Sequence, residues 1–134
     1  MTSAYPEQNG WYRGQVNITF TCTPGSAPLA SDCPAMASLT AVGANQSLTE
    51  TIEDTDGGTA SITVTENIDL GAPTITKVRP RAGKCAASDP VSGMGSCVVK
   101  RTRVHGRHGT RVEWTAIATD RAGNVAKAFG AYKV

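Results

Sequence analysis

Aromatic side chains are scarce: two Trp, three Tyr and two Phe make up 5% of the 134 residues. No run approaches the ~18 consecutive apolar residues that a membrane-spanning helix needs. The segment Met1 to Gly10 has neither a basic start nor an apolar centre and is not a signal peptide, so export would require a signal upstream of it. Catalytic signatures are absent too. There is no Gly-x-Ser-x-Gly elbow and no Gly-rich phosphate loop ending in Lys-Ser or Lys-Thr. The only two histidines, His105 and His108, sit among arginines, a poor place for a metal cation. These absences point away from an enzyme.

What the chain does have is turns and alternation. Gly and Pro fill 21 positions, and Thr, Ser, Ala and Val fill much of the rest, a mixture suited to strands joined by turns. Val16, Ile18, Phe20 and Cys22 alternate with polar residues, as do Ile62 and Val64, and Val112, Trp114, Ala116 and Ala118. This period of two buries one face of a strand. Ile117 breaks the alternation on the outer face. No segment is helical in period, and the spacing of the strand signals predicts an all-β sandwich. Trp114 is expected in the core beside a disulfide, and Trp11 over the open end of the first sandwich.

Four cysteines form two close pairs in sequence, Cys22 with Cys33 and Cys85 with Cys97. Zinc would need tighter spacing or a nearby histidine, so disulfides and an oxidising compartment are favoured. Four thiols still allow three connectivities. The pairs are in step, Cys22 lying 63 residues before Cys85 and Cys33 64 before Cys97. Thr55-Asp56 and Thr119-Asp120 are also 64 apart, each leading through a Gly-containing turn into an alternating segment, Thr59 to Ile68 and Val125 to Val134. Three landmarks in step predict two copies of one unit. The boundary falls near Asp69 to Pro73, where Gly71 and Pro73 interrupt the strand pattern.

Several segments together resemble the tandem Ig-like repeats of secreted and surface-anchored bacterial proteins, many of them actinobacterial. They are Asn9-Gly-Trp-Tyr12, Val16 to Cys22, Gly43 to Ser47, Asn67-Ile-Asp69 and Ala72-Pro-Thr-Ile75 in the first stretch. Cys85-Ala-Ala-Ser-Asp89, Ser92-Gly93, Ser96-Cys97, Thr119-Asp-Arg-Ala-Gly-Asn124 and the terminal Ala131 to Val134 complete the set. The resemblance implies two Ig-like β-sandwich modules of antiparallel Greek-key type, residues 1–70 and 71–134, each with one internal disulfide (Cys22–Cys33 and Cys85–Cys97). It further implies an extracellular or cell-surface stalk, spacer or adhesion role without catalysis. Two departures stand out: a shorter turn at Asp56 to Thr59, and a basic cluster after Cys97.

Charge separates sharply along the chain. Residues 1–70 carry one basic and eight acidic side chains, net −7, whereas residues 71–134 carry twelve and three, net +9. Lys100, Arg101, Arg103, His105, Arg107, His108 and Arg111 cluster, and in a strand from Val98 to Val104, Arg101, Arg103 and His105 would share a face, with Arg107 and His108 at the turn tip. Three readings stand open. The cluster is a solubilising surface with charged strand edges, or a grip for an anionic polymer or glycan through arginine forks, or one half of a head-to-tail self-association with the acidic module. Nucleic acid is disfavoured because the cluster has no interleaved aromatics for base stacking. Trp11 with Tyr12 offers a sugar-stacking platform, the mark of a carbohydrate-binding appendage. Glu66, Asn67 and Asp69 beside the linker supply oxygen ligands for calcium, with Asp89 and Asp120 as further candidates. Asp and Asn at turns also cap backbone groups without any metal.

Overall fold

The computed structural model describes Met1–Val134 and contains ten β-strands and no helix; none is therefore long and apolar enough to cross a membrane. The strands are β1 (Thr2–Ser3), β2 (Val16–Ile18), β3 (Ala37–Leu39), β4 (Gly43–Glu53), β5 (Thr59–Ile68), β6 (Thr74–Arg79), β7 (Lys84–Ser88), β8 (Met94–Gly106), β9 (Gly109–Asp120) and β10 (Val125–Lys133). All pairing between strands is antiparallel, in a β1-β2-β3 sheet, a β4-β5 hairpin, a β6-β7 hairpin and a β8-β9-β10 meander. Every substantial strand-to-strand packing lies within β1–β5 or within β6–β10.

The cysteines pair as Cys22–Cys33 and Cys85–Cys97, and none is free. The second disulfide ties β7 to β8 where the β6-β7 hairpin packs over the meander. These staples sit beside small cores. In the first half Val16, Ile18, Leu39 and Ile68 form the buried cluster, with Tyr12, Phe20, Leu48 and Val64 packed against it. In the second half the buried hydrophobics are Val112, Ala116, Ala118 and Ala122. The molecule exposes 8401 Å², against about 6,700 Å² for a compact chain of 13.9 kDa.

The alternating segments Thr59 to Ile68 and Val125 to Lys133 are strands, as their period predicts. The run from Val16 is shorter than its pattern suggests. It stops at Ile18 because β1 and β3 offer pairing partners only for Val16, Asn17 and Ile18. Trp114 is not beside the disulfide. Cys97 faces Ala118, and Trp114 lies four residues back along β9, about 13 Å away. Its indole lies across Gly130 on β10, so close that a Cβ there would collide with Cζ2 and Cε2.

The β4-β5 and β9-β10 hairpins turn in the same way. The Asp54 N–H donates to Gly58 O at 2.8 Å, and Asp54 Oδ1 accepts the Gly58 N–H at 2.8 Å. The Asp120 N–H donates to Asn124 O at 3.0 Å, and its Oδ1 accepts the Asn124 N–H at 2.9 Å. The next residue in each, Thr55 or Arg121, donates to a carbonyl of the preceding loop, Pro28 or Gly93, at 2.9 Å. Gly57 and Gly123 take the positive φ that both turns demand, +83° and +96°. The residue corresponding to Asp120 is therefore Asp54, two positions before the Asp56 that the Thr-Asp spacing selects.

Candidate functional site

The last turn of the first half is sewn onto the second. Tyr12 N–H donates to Asn67 O, and Asp69 N–H donates to Tyr12 O, at 2.9 and 2.8 Å. Asn67 donates through Nδ2 to Gly10 O and accepts the Asn45 N–H at Oδ1. Asn9 Nδ2 reaches Arg121 O at 3.0 Å, and Asn124 Nδ2 reaches Asp69 O at 2.8 Å. Gly123 lies against the exposed Gln8 side chain, and its φ of +96° is what requires glycine here. The turn carrying Trp11 thus lies at the meeting of the two halves, not over an open end. Tyr12 is partly buried against the core cluster.

Asp69 is fully buried at this junction. Its Oδ1 accepts the Gly71 N–H and its Oδ2 the Ser92 N–H, at 3.0 and 3.1 Å. Asp89 Oδ1 accepts N–H groups from Val91, Ser92 and Gly93. Asp120, 3% exposed, holds Asn124 with both oxygens. One carboxylate oxygen from each of Asp69, Asp89 and Asp120 lies within 4.8 Å of the other two. Carboxylates this close repel one another, and the N–H groups that they accept offset part of that. No Lys, Arg or His stands within 4.0 Å to offset it, because the one ion pair in the molecule is Arg111 with Glu113. The Ser92 hydroxyl adds a second signal. Ser92 is 5% exposed, and its Oγ has no hydrogen-bond partner. Its own N–H is held between the Asp69 and Asp89 carboxylates, which keeps Oγ within about 4 Å of that point by covalent geometry. Clustered carboxylate oxygens with an unpartnered hydroxyl beside them are the kind of oxygen ligands a hard cation takes.

The structure gathers Asp69 with Asp89 and Asp120, without Glu66. Asn67 is spent on backbone groups. Glu66 stands near Tyr12 and Glu7; burial, then the Glu7 charge, pushes its carboxyl above the ordinary value. Burial first, then Glu66 and Glu7, likewise raises the Tyr12 phenol.

The basic cluster occupies the far end of the second half. Arg101, Arg103 and His105 share one face of β8, and Arg107 with His108 forms the tip between Gly106 and Gly109. Arg101 is not free, however. Its Nη1 donates to Arg81 O and Pro80 O, clamping the β6-β7 turn. Arg111 is bound to Glu113 at 2.7 Å, and His105 Nδ1 lies 2.9 Å from Thr110 Oγ1. Folding adds cations that sequence proximity missed. Arg81 stacks on Tyr132 at 4.3 Å and donates to Lys133 O. Arg79 stands directly opposite Lys84, with Lys77 two residues back along β6. Opposed like charges on a strand pair cost up to about 1 kcal/mol. Three shallow depressions of about 200, 310 and 190 Å³ are lined by Lys77 with Arg79 and Lys84, by Arg103 with Arg101, and by Arg107 with His108, Arg111 and Lys133; none contains a carboxylate. Lys100, by contrast, is exposed on the opposite face of β8, facing Thr115.

Comparison with protein-family models, with curated proteins and with solved structures finds no match for the chain. The sequence signal for the acidic cluster was present, in the Ser-Asp89-Pro and Asp120-Arg-Ala-Gly-Asn124 turns, but only the fold brings Asp69 to them.

Proposed function

We propose that this chain is a non-catalytic structural or adhesion segment of an extracellular or cell-surface bacterial protein. It comprises two tandem Ig-like, Greek-key-type sandwich modules whose junction is stiffened by a calcium ion. The observation that carries this reading is the fully buried Asp69, a linker residue hydrogen-bonded into the second half and gathered with Asp89 and Asp120 beside Ser92, whose buried hydroxyl is unpartnered. The repeated Asp54 and Asp120 turns support two copies of one unit, and the paired cysteines support an oxidising compartment. A non-catalytic role is in keeping with the pairing of all four cysteines, which leaves no free thiol to act as a nucleophile.

Calorimetric titration with Ca²⁺, paired with thermal unfolding in chelator and in Ca²⁺, tests the reading. Binding in the range of about 10⁻⁴ to 10⁻³ M expected of extracellular modules, with a rise in melting temperature that Asp120→Asn abolishes, supports it. No heat and no shift at several millimolar Ca²⁺ would remove the ion from the proposal and leave a junction held by hydrogen bonds alone.

A further inference from the structure

The junction also defines two free ends. The β4-β5 turn lies ten strand residues from Ile68, about 33 Å from the junction, and the β8-β9 tip lies about 40 Å from it along β9. Because strand packing stays within each half, these ends do not fold back on one another. They are opposite in charge. Glu53 and Asp56 are exposed at the first, with no cationic side chain within 4.0 Å, and Asp32 follows closely after Ala30, whose N–H donates to Glu53 O. Arg107, His108 and Lys133 are exposed at the second, where the one carboxylate, Glu113, is already taken by Arg111.

The acidic end is also built to receive a neighbour. Its turn, Asp54 to Gly58, has the hydrogen-bond pattern of Asp120 to Asn124, and within this chain that second turn is the one seated against the first half through Asn9 and Asp69. We propose that the acidic end of one copy docks on the basic end of a second copy, so that the chain assembles head to tail. The two surfaces are different and lie at opposite ends, so each contact leaves a free acidic and a free basic end, and growth is open unless the subunit angle closes a ring. This rests on the structural-segment reading above. Its failure is separable, because Ca²⁺ binding and junction stability are measured on the monomer.

Sedimentation velocity of the full chain over a range of concentrations is the test, at about 20 mM and about 500 mM salt, with Glu53→Lys/Asp56→Lys and Arg107→Glu/Lys133→Glu variants whose fold is checked by circular dichroism. Wild type is expected to sediment faster with concentration at low salt, its association weakening at least tenfold or so at high salt. Each variant alone is expected to stay monomeric, and their equimolar mixture to assemble again, since every reversed end then meets a complement. A wild type monomeric throughout would overturn the proposal, as would assembly that the mixture fails to restore. A monomer retained on heparin or polyphosphate, with retention lost in the basic-end variant, would instead assign that end to a polyanion. The wild-type salt series decides the matter independently of how the variants behave.

Discussion

Replacing Cys85 and Cys97 with alanine should unfold the second half selectively. The bond joins residues separated by 12 positions, and the chain-entropy relation gives about 3 kcal/mol for closing such a loop. Little in that half can absorb the loss. Val112 and Pro73 are its only buried apolar side chains larger than alanine, beside Ala116, Ala118 and Ala122. Stability of a few kcal/mol is common for a module of this size, so removing the cross-link consumes most or all of it. The assay is guanidinium unfolding followed by Trp114 fluorescence in a Trp11→Phe background, which makes the signal specific to the second half. The expected result is a transition moved to low denaturant or lost. A cost below about 1 kcal/mol would refute the reasoning and show that hairpin-on-meander packing suffices. The matched Cys22→Ala/Cys33→Ala variant should lower the first half's stability by a similar amount and leave the Trp114 transition nearly in place.

Other outcomes follow from single contacts. Gly130→Ala should push the Trp114 indole off β10, cost about 1–3 kcal/mol and alter the near-ultraviolet circular dichroism; an unchanged spectrum would contradict the close contact. Arg79→Glu replaces an opposed like-charge pair with an opposite-charge pair facing Lys84, and should stabilise the fold by about 0.5 kcal/mol at low salt, seen as a slightly higher melting temperature; a decrease would mean Arg79 is held by something other than its cross-strand neighbour. Glu66 holds its proton more tightly folded than unfolded. Wild-type stability should therefore fall as pH rises from the ordinary glutamate range through the raised folded value. Glu66→Gln should flatten that slope and be the more stable protein at neutral pH, and parallel thermal melts across pH 4–7 would expose equal slopes if burial of Glu66 has no energetic consequence.

Much of the fold was legible because it is local. Alternation marked β5 and β10 almost to the residue, and Gly106 with Gly109 marked the Arg107-His108 tip. What escaped depends on pairing and orientation. Alternation carried past Ile18 because periodicity does not reveal whether a neighbouring strand is long enough to pair. The Thr-Asp dipeptides suggested Asp56 as the partner of Asp120, but the turn is fixed by the bond between Asp54 and Gly58, which a dipeptide match cannot see. Arg101 was grouped with the free cations because its reach to Pro80 and Arg81 crosses from β8 to the β6-β7 turn. Asp69, Asp89 and Asp120 are each oxygen-ligand candidates in the sequence, but their meeting in one cluster is not legible there, because a linker, a loop and a hairpin contribute them.

The Cys85–Cys97 bond has a mechanical consequence. If the chain is pulled by its ends, tension reaching Cys85 passes through sulfur to Cys97, and the residues between them stay slack. Asp89 and Ser92 belong to that unloaded segment, whereas Asp69 lies on the load path. Stretching would therefore draw Asp69 out of the cluster while its partners Asp89 and Ser92 remain held in their loop, so that a junction broken by force keeps part of its socket ready for re-docking when the tension is released.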